Sequence, residues 1–229
     1  MKITVKPHHK IAAVYSAELE DGNISLATLN LTPSKAVYGE RLIEYEGSEY
    51  RLWDPYKSKL AAAILKGLPA VPIKPYCSVL YLGAATGTTA SHVSDLVGAE
   101  GRIYAVEFSS RSLRELISNL SSRTNVFPIL ADARSPWGYK LLMEKVDVVY
   151  CDIAQPEQAR VLADNADMFL REGGSALLAI KARSIDSTKR PEEVFKEEVN
   201  VLKRRRLDVR AVIPLEPYDR DHAMVLAER

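Results

Sequence analysis

The sequence is short of several things, and each shortage excludes a class of protein. Only two cysteines, Cys77 and Cys151, occur in 229 residues. Two thiols cannot build a disulfide framework, and their spacing matches no zinc motif. Both flank apolar strand-like runs, which predicts buried thiols. No stretch approaches the roughly 18 consecutive apolar residues that a membrane helix needs. The first ten residues, "MKITVKPHHK", lack an apolar core of signal-peptide length, so the expectation is a soluble cytoplasmic protein that meets no membrane. Charge of one sign is also missing: 31 Lys and Arg against 30 Asp and Glu leave a formal net charge of +1. Proteins that hold RNA alone by neutralising phosphates are usually far more basic. This chain therefore either binds no nucleic acid or borrows affinity from a partner.

What is present, 47% hydrophobic and 27% charged residues, suits one globular domain of ordinary size with a small appendage. Residues 1–52 read as a small antiparallel β-domain. "KIAAVYSAEL" and "NISLATLNLT" are separated by the turn signal "EDG", and "RLIEYEGSEYRLW" alternates around a second turn at Glu46-Gly47. The rhythm changes at residue 53. "KSKLAAAILKGL" is a strong helix former ended by Gly67 and Pro69. Beyond it, the apolar runs "SVLYL", "RIYAVEF", "NVFPIL", "VDVVYCDI", "SALLAIKA", "LDVRAVIPL" and "HAMVLAE" are interleaved with helical patterns over 88–97, 110–122, 155–171 and 191–206. Such alternation predicts, for residues 53–229, an α/β domain with a mostly parallel sheet and helices on both faces. Ligands of such sheets bind beyond the carboxyl ends of the strands.

Candidate chemistry gathers at those ends. "LYLGAATGTTASHVSD" clears large side chains from a strand-to-helix turn. It is no P-loop, because Gly83 and Gly87 stand one residue too close and no lysine follows. Nor does Gly83-Ala84-Ala85-Thr86-Gly87 supply the dinucleotide fingerprint. It still allows close backbone approach, and the amides at Thr88 and Thr89 open a helix. Glu107 ends the next strand, where a carboxylate accepts from ribose hydroxyls and repels a phosphate; Phe108 beside it can pack on a purine. Asp132 ends the third strand and can accept from an adenine amino group, with Ala133 offering a backbone contact. A glycine turn, a ribose acid and an adenine acceptor at successive strand ends suggest a nucleoside without pyrophosphate, and S-adenosylmethionine fits better than NAD. Asp152 and Lys181 end the fourth and fifth strands and can lie side by side. A buried ion pair is weak evidence for stability, so function is the favoured reading at this edge. Lys59 and His222 have no spacing signal that separates them from solvated residues. "KRRR", Lys203–Arg206, suits either an RNA or partner contact or the negative end of a helix dipole.

Several long stretches together resemble the fibrillarin family: "WDPYKSKLAAAI", "VLYLGAATGTTASHVSDLVG", "YAVEFSSRS", "PILADARSP", "VYCDIAQPEQA", "AIKARSID" and "EPYDRDHAMV". They run in family order and cover residues 30–229, while the N-terminal strands resemble the family's small β-domain. The departures are mild: Lys57 where the family often has Arg, and Thr86 where Ser is frequent. No Gly/Arg-rich extension is present, which suggests the archaeal type. The resemblance implies a Rossmann-like S-adenosylmethionine-dependent methyltransferase fold with a seven-stranded sheet, and ribose 2′-O-methylation of rRNA and tRNA nucleotides. Box C/D guide RNA would choose the targets, a Nop-type scaffold would dock the enzyme, and a kink-turn-binding subunit of ribosomal-protein type would complete the particle. By motif, the implied catalytic set is Lys59, Asp152, Lys181 and His222. The implied cofactor contacts fall on Gly83, Ala84, Thr86, Gly87, Thr88 and Thr89, then Glu107, Phe108, Asp132 and Ala133, then Asp152, Ile153, Ala154 and Gln155. A small-molecule methyltransferase, which would keep the cofactor site without needing the Lys-Asp-Lys cluster, and a non-catalytic assembly subunit are the alternatives.

Overall fold

A computed structural model describes residues 2–229 and arranges them around two sheets. The smaller sheet contains β1 (Thr4–Pro7), β2 (Val14–Glu18), β3 (Ile24–Leu29), β4 (Leu42–Tyr45) and β5 (Ser48–Trp53), ordered β1-β2-β3-β5-β4 and antiparallel throughout. The predicted turn at Glu46-Gly47 joins β4 to β5. Both its residues have positive φ, +50° and +75°, as a two-residue hairpin turn requires. β1 is a strand that the sequence pattern does not single out. It lies at the sheet edge and fully buries only Val5, so it has almost no apolar alternation to read.

The larger sheet contains β6 (Ser78–Leu82), β7 (Arg102–Glu107), β8 (Val126–Leu130), β9 (Val146–Cys151), β10 (Leu170–Lys181), β11 (Asp208–Pro214) and β12 (His222–Glu228). Its order is β8-β7-β6-β9-β10-β12-β11, and only β12 runs antiparallel to its neighbours. This is the expected Rossmann-like, mostly parallel sheet of seven strands. Successive residues face opposite sides of a strand. Val79, Tyr81, Val148 and Tyr150 therefore join one core, beneath α1 (Lys59–Leu65) and α2 (Thr88–Val97). Leu80, Leu82, Val149 and Cys151 join the other, beneath α4 (Gln158–Phe169) and α6 (Pro191–Arg204). α3 (Ser110–Leu120) covers the β7–β8 end, and the short α5 (Ala182–Ile185) follows β10. Both cysteine thiols are buried, as predicted. No helix among the described residues is long and apolar enough to cross a membrane.

Some boundaries move, for identifiable reasons. The helix predicted from residue 155 starts at Gln158, because Asp152–Glu157 stays irregular at the sheet edge. β10 begins at Leu170 rather than Ser175; a register shift between those residues interrupts its pairing with β9 and conceals the strand from the apolar pattern. Pro136–Leu142 forms a 3₁₀ turn that no periodicity foretold, since Trp137, Leu141 and Leu142 remain exposed. Arg205, within the basic run, is held by Asp164 and Asp167 at 2.8 and 2.6 Å.

A buried polar network joins the small sheet to α2. Arg51, on β5, reaches Asp95 at 2.7 Å and Ser91 at 2.8 Å and also pairs with Glu40. Arg123 closes on the other oxygen of Asp95 at 2.6 Å. Thr28 Oγ1 donates to Asp95 Oδ2 at 2.7 Å, so at its 2.8 Å contact with His92 Nδ1 it must accept. His92 is therefore protonated on Nδ1, and its Nε2 accepts from the Tyr38 hydroxyl at 2.8 Å. The His92 ring stacks on Trp53 with centroids 4.8 Å apart. Trp53 and Leu26 reach into the same core as α1, so the two sheets share apolar contacts as well as charges.

Candidate active site

The chain lays down β6, β7 and β8 in one direction, then returns to place β9 and β10 on the other side of β6. The reversal leaves a crevice beyond the carboxyl ends of β6 and β9. A cleft of about 230 Å³ opens there, lined by Gly83, Ala85, Val106, Glu107, Phe108, Ala131, Ala133, Asp152–Gln155 and Lys181. Most of the residues singled out from strand ends thus meet in one place. Ala85, Val106 and Ala131 are additions; as small or apolar residues inside strands or turns, they carry no signal of their own.

Gly83 has a specific reason to be glycine. Its φ is +81°, and a Cβ there would stand 2.8 Å from the Asp152 carbonyl oxygen. The β6 turn and the β9 end can approach this closely only without a side chain. Ala85 has φ +49°, an αL position held by its N–H, which donates to Glu107 Oε2 at 2.9 Å. Glu107 Oε1 accepts from Ser109 N–H at 2.8 Å. These two contacts fix the carboxylate at the cleft wall, and each oxygen keeps capacity for a second donor. Asp132 is engaged by Arg134, whose Nε and Nη2 donate at 3.0 and 2.7 Å to Asp132 Oδ2. That hydrogen bonding holds the Asp132 carboxyl below the usual range. Asp132 does not line the cleft itself; the adjoining Ala131 and Ala133 do. Ala84, Thr86, Gly87 and Thr88 also lie off the lining. Thr89 points elsewhere, donating to Ser58 Oγ at 3.0 Å and tying α2 to the N-cap of α1.

Beside the cleft, four titratable residues from distant parts of the chain converge. Asp152 Oδ1 lies 2.9 Å from Lys181 Nζ and 3.3 Å from Lys59 Nζ. Neither ammonium gives that oxygen a well-aligned hydrogen bond. Lys181 Nζ donates instead to the Asp152 main-chain oxygen at 2.9 Å. Charge and that one main-chain hydrogen bond hold the trio, and Asp152 Oδ1 retains hydrogen-bonding capacity. A fifth residue, which the sequence pattern did not distinguish, links His222 to the trio. Asp219 lies 3.7 Å from Lys59 Nζ through Oδ2 and 2.9 Å from His222 Nδ1 through Oδ1. Burial alone would raise the Asp219 carboxyl, but the His222 hydrogen bond and the charges of His222, Lys59 and Lys181 hold it below the ordinary carboxylate value. His222 Nδ1 also lies 2.6 Å from the Arg220 carbonyl. A carbonyl only accepts, so Nδ1 carries a proton.

Local structure explains how each group is held. Lys59 is the first residue of α1, whose N-cap Ser58 accepts from Ala61 N–H. A cation at a helix N-terminus opposes the helix dipole. Asp152 and Asp219 offset that cost. Ala61–Ala63 let α1 lie close against the sheet, so its first turn reaches the crevice. Lys181 pairs across the ladder with His222, while its N–H donates to buried Gln158 Oε1 at 2.9 Å. Gln158, which sequence reasoning did not select, thereby anchors the end of β10.

A nucleoside cofactor fits these residues. The Gly83 cradle leaves backbone room, Glu107 and Phe108 provide a ribose acceptor and an aromatic face, and Gln155 Oε1 is buried without a hydrogen-bond partner. A buried orphan acceptor at such a wall is costly unless a ligand supplies the donor.

The sequence pattern described as Fibrillarin matches residues 5–229. A fibrillarin-like rRNA/tRNA 2′-O-methyltransferase of Staphylothermus marinus is 56% identical over 225 residues, which cover 98% of this chain and 96% of that protein. The crystal structure of Aeropyrum pernix fibrillarin with natively bound S-adenosyl-L-methionine has a TM-score of 0.92 at 53% identity, covering 98% of this chain and 97% of that one. A fibrillarin/Nop5p complex contributes a chain with TM-score 0.83 and 43% identity, covering 98% of this chain and all (100%) of that one.

Proposed function

Because the chain belongs to the fibrillarin family, we propose that it methylates ribose 2′-hydroxyls of rRNA and tRNA, using S-adenosylmethionine. The observation that carries this reading is the Lys59–Asp152–Lys181 trio beside the cleft. When bound, the cofactor supplies a methyl group on a sulfonium, electrophilic without further activation. Gly83, Glu107, Phe108, Ala133 and Asp152–Gln155 would hold it, with Asp132 at the rim.

The rest is work for the chain's own residues. A ribose hydroxyl is a poor nucleophile until it loses its proton near the moment of attack. Lys181 lines the cleft itself; its Nζ must first release its own proton to solvent, and the neutral amine then takes the hydroxyl proton. Lys59, held 3.3 Å from the shared carboxylate, stabilises the negative charge that develops on the 2′-oxygen. Asp152 keeps both amines in place, and Asp219 fixes His222 so that its free Nε2 orients the ribose or a backbone phosphate. Placement supplies a large part of such rate enhancements.

The partners are those the family implies, and the charge agrees with them. A chain of net charge +1 is poorly equipped to hold RNA alone. The reading is that a Nop-type scaffold, a kink-turn-binding subunit and a box C/D guide RNA deliver the target. The test is transfer of radiolabelled methyl to a guide-matched RNA, with and without scaffold. Label in matched RNA only, and only in the assembled particle, is expected. Absence of label in the complete particle, or labelling indifferent to the guide, overturns the proposal. Labelling of small acceptors alone would favour a small-molecule methyltransferase.

A further inference from the structure

Two loops meet above the charged cluster, and each presents a tyrosine. Tyr56, 68% exposed, sits three residues before Lys59 in the connection from β5 to α1. Tyr218 immediately precedes Asp219 in the connection from β11 to β12. Their rings are 5.3 Å apart with planes at 70°, an edge contact that leaves a ring face of Tyr56 free. Both are on fixed backbone: Tyr56 N–H donates to Asp54 Oδ1 at 2.8 Å and Tyr218 N–H to the Leu215 carbonyl at 2.9 Å. Two exposed cations flank the pair, Lys57 and Arg220. Among the described residues neither has an ion-pair partner, whereas Arg183 and Arg190 are taken by Asp221 and Glu193. Lys57 Nζ lies 5.4 Å over the Tyr38 ring, which leaves its charge available. An exposed aromatic face with an unpaired cation next to each tyrosine along the chain, continuous with residues that would handle a ribose hydroxyl, matches the chemistry of a nucleic-acid strand: a flat base between phosphates.

We propose that Tyr56 and Tyr218 form the lip against which the nucleotide neighbouring the target ribose packs, with Lys57 and Arg220 meeting its flanking phosphates. This inference rests on the RNA-methylating reading above and extends it by naming the residues that grip the substrate strand. The lip shares its backbone with Lys59 and Asp219, so a nucleotide seated on it would place the next ribose beside the two lysines. The net charge of the whole chain conceals this, because acids and bases balance over the sequence as a whole.

The experiment uses the assembled particle with a guide-matched RNA, under single-turnover conditions and across salt concentrations. The lip predicts that Lys57→Ala with Arg220→Ala flattens the dependence of log(rate/half-saturation) on log[salt] by about 0.7–0.9 per cation removed. Tyr56→Ala should lower that specificity ratio by roughly 5- to 100-fold, and Tyr56→Phe should recover most of it, because the ring provides the contact. Cofactor affinity of the isolated chain should be the same in all variants. Unchanged salt dependence and rate in an active wild-type background overturn the lip. A slow Tyr56→Ala variant with weakened cofactor binding also overturns it, by showing that the ring only supports the Asp219 loop. An inactive wild-type particle would instead defeat the proposed function itself.

Discussion

The molecule holds two clusters of opposite charges, built from similar residues and finished in opposite ways. Between the small sheet and α2, the Arg51, Arg123, Asp95 and Glu40 side chains are all at most 1% exposed. Hydroxyls and backbone amides supply most of their remaining hydrogen bonds, leaving Arg123 Nε unmet. At the crevice, Lys59, Asp152, Lys181, Asp219 and His222 retain 12–32% exposure, their contacts stretch to 3.7 Å, and Asp152 Oδ1 is left without a hydrogen bond. A closed, nearly satisfied network orients one sheet on another. An open cluster with spare capacity can accept a further donor. Closure to solvent, more than the number of charges, distinguishes the two.

Three changes should break or sharpen that contrast. The largest effect belongs to Lys181→Ala, expected to reduce methyl transfer in the assembled particle by about 10²–10⁴-fold while cofactor affinity and thermal midpoint change little. Single-turnover transfer and calorimetry measure both, and full activity would remove Lys181 from its role as base. Next comes Asp95→Ala, which strands two arginines in the interface. Breaking a buried pair costs about 3–5 kcal/mol, so the denaturation midpoint should fall sharply. A loss below about 1 kcal/mol, the range of surface pairs, would mean the interface is wetter than its geometry indicates.

The smallest effect is a pH slope. Burial, then the nearby Arg51 and Arg123 charges, hold the His92 imidazole well below its ordinary value. Folded protein therefore keeps His92 neutral where the unfolded chain begins to protonate, near pH 6.5. The unfolded state binds more protons below that pH, so stability declines as pH falls, by at most about 1.4 kcal/mol per pH unit from this one group. His92→Gln should flatten the decline between pH 6.5 and 5 in denaturant titrations. An unaltered slope would assign it to other groups.

Much of the crevice was legible because a parallel sheet delivers every strand to the same edge. Gly83, Glu107 and Asp152 follow or end apolar runs that could be counted directly, and Lys181 ends the run "SALLAIK". Asp219 was not legible. It lies in an irregular loop with no periodicity, and only folding brings it between Lys59 and His222. Lys59 and His222 stood out only through resemblance, since a helical lysine and a strand-end histidine look the same in solvent and in a site. The interface network was hidden for a related reason: Arg51, Asp95 and Arg123 read as ordinary surface charges until their burial is seen.

The sequence by itself determined the alternation of strands and helices, the faces that become core, and the small residues at the first turn. Each of these depends on local periodicity or on the steric limits of one backbone position. Only the tertiary structure decided that β12 inserts between β10 and β11, that α1 leans its first residue over Asp152, and that one set of charges is sealed while the other stays open. Those outcomes depend on distances between residues far apart in the chain. Packing sets such distances, and no local pattern encodes them.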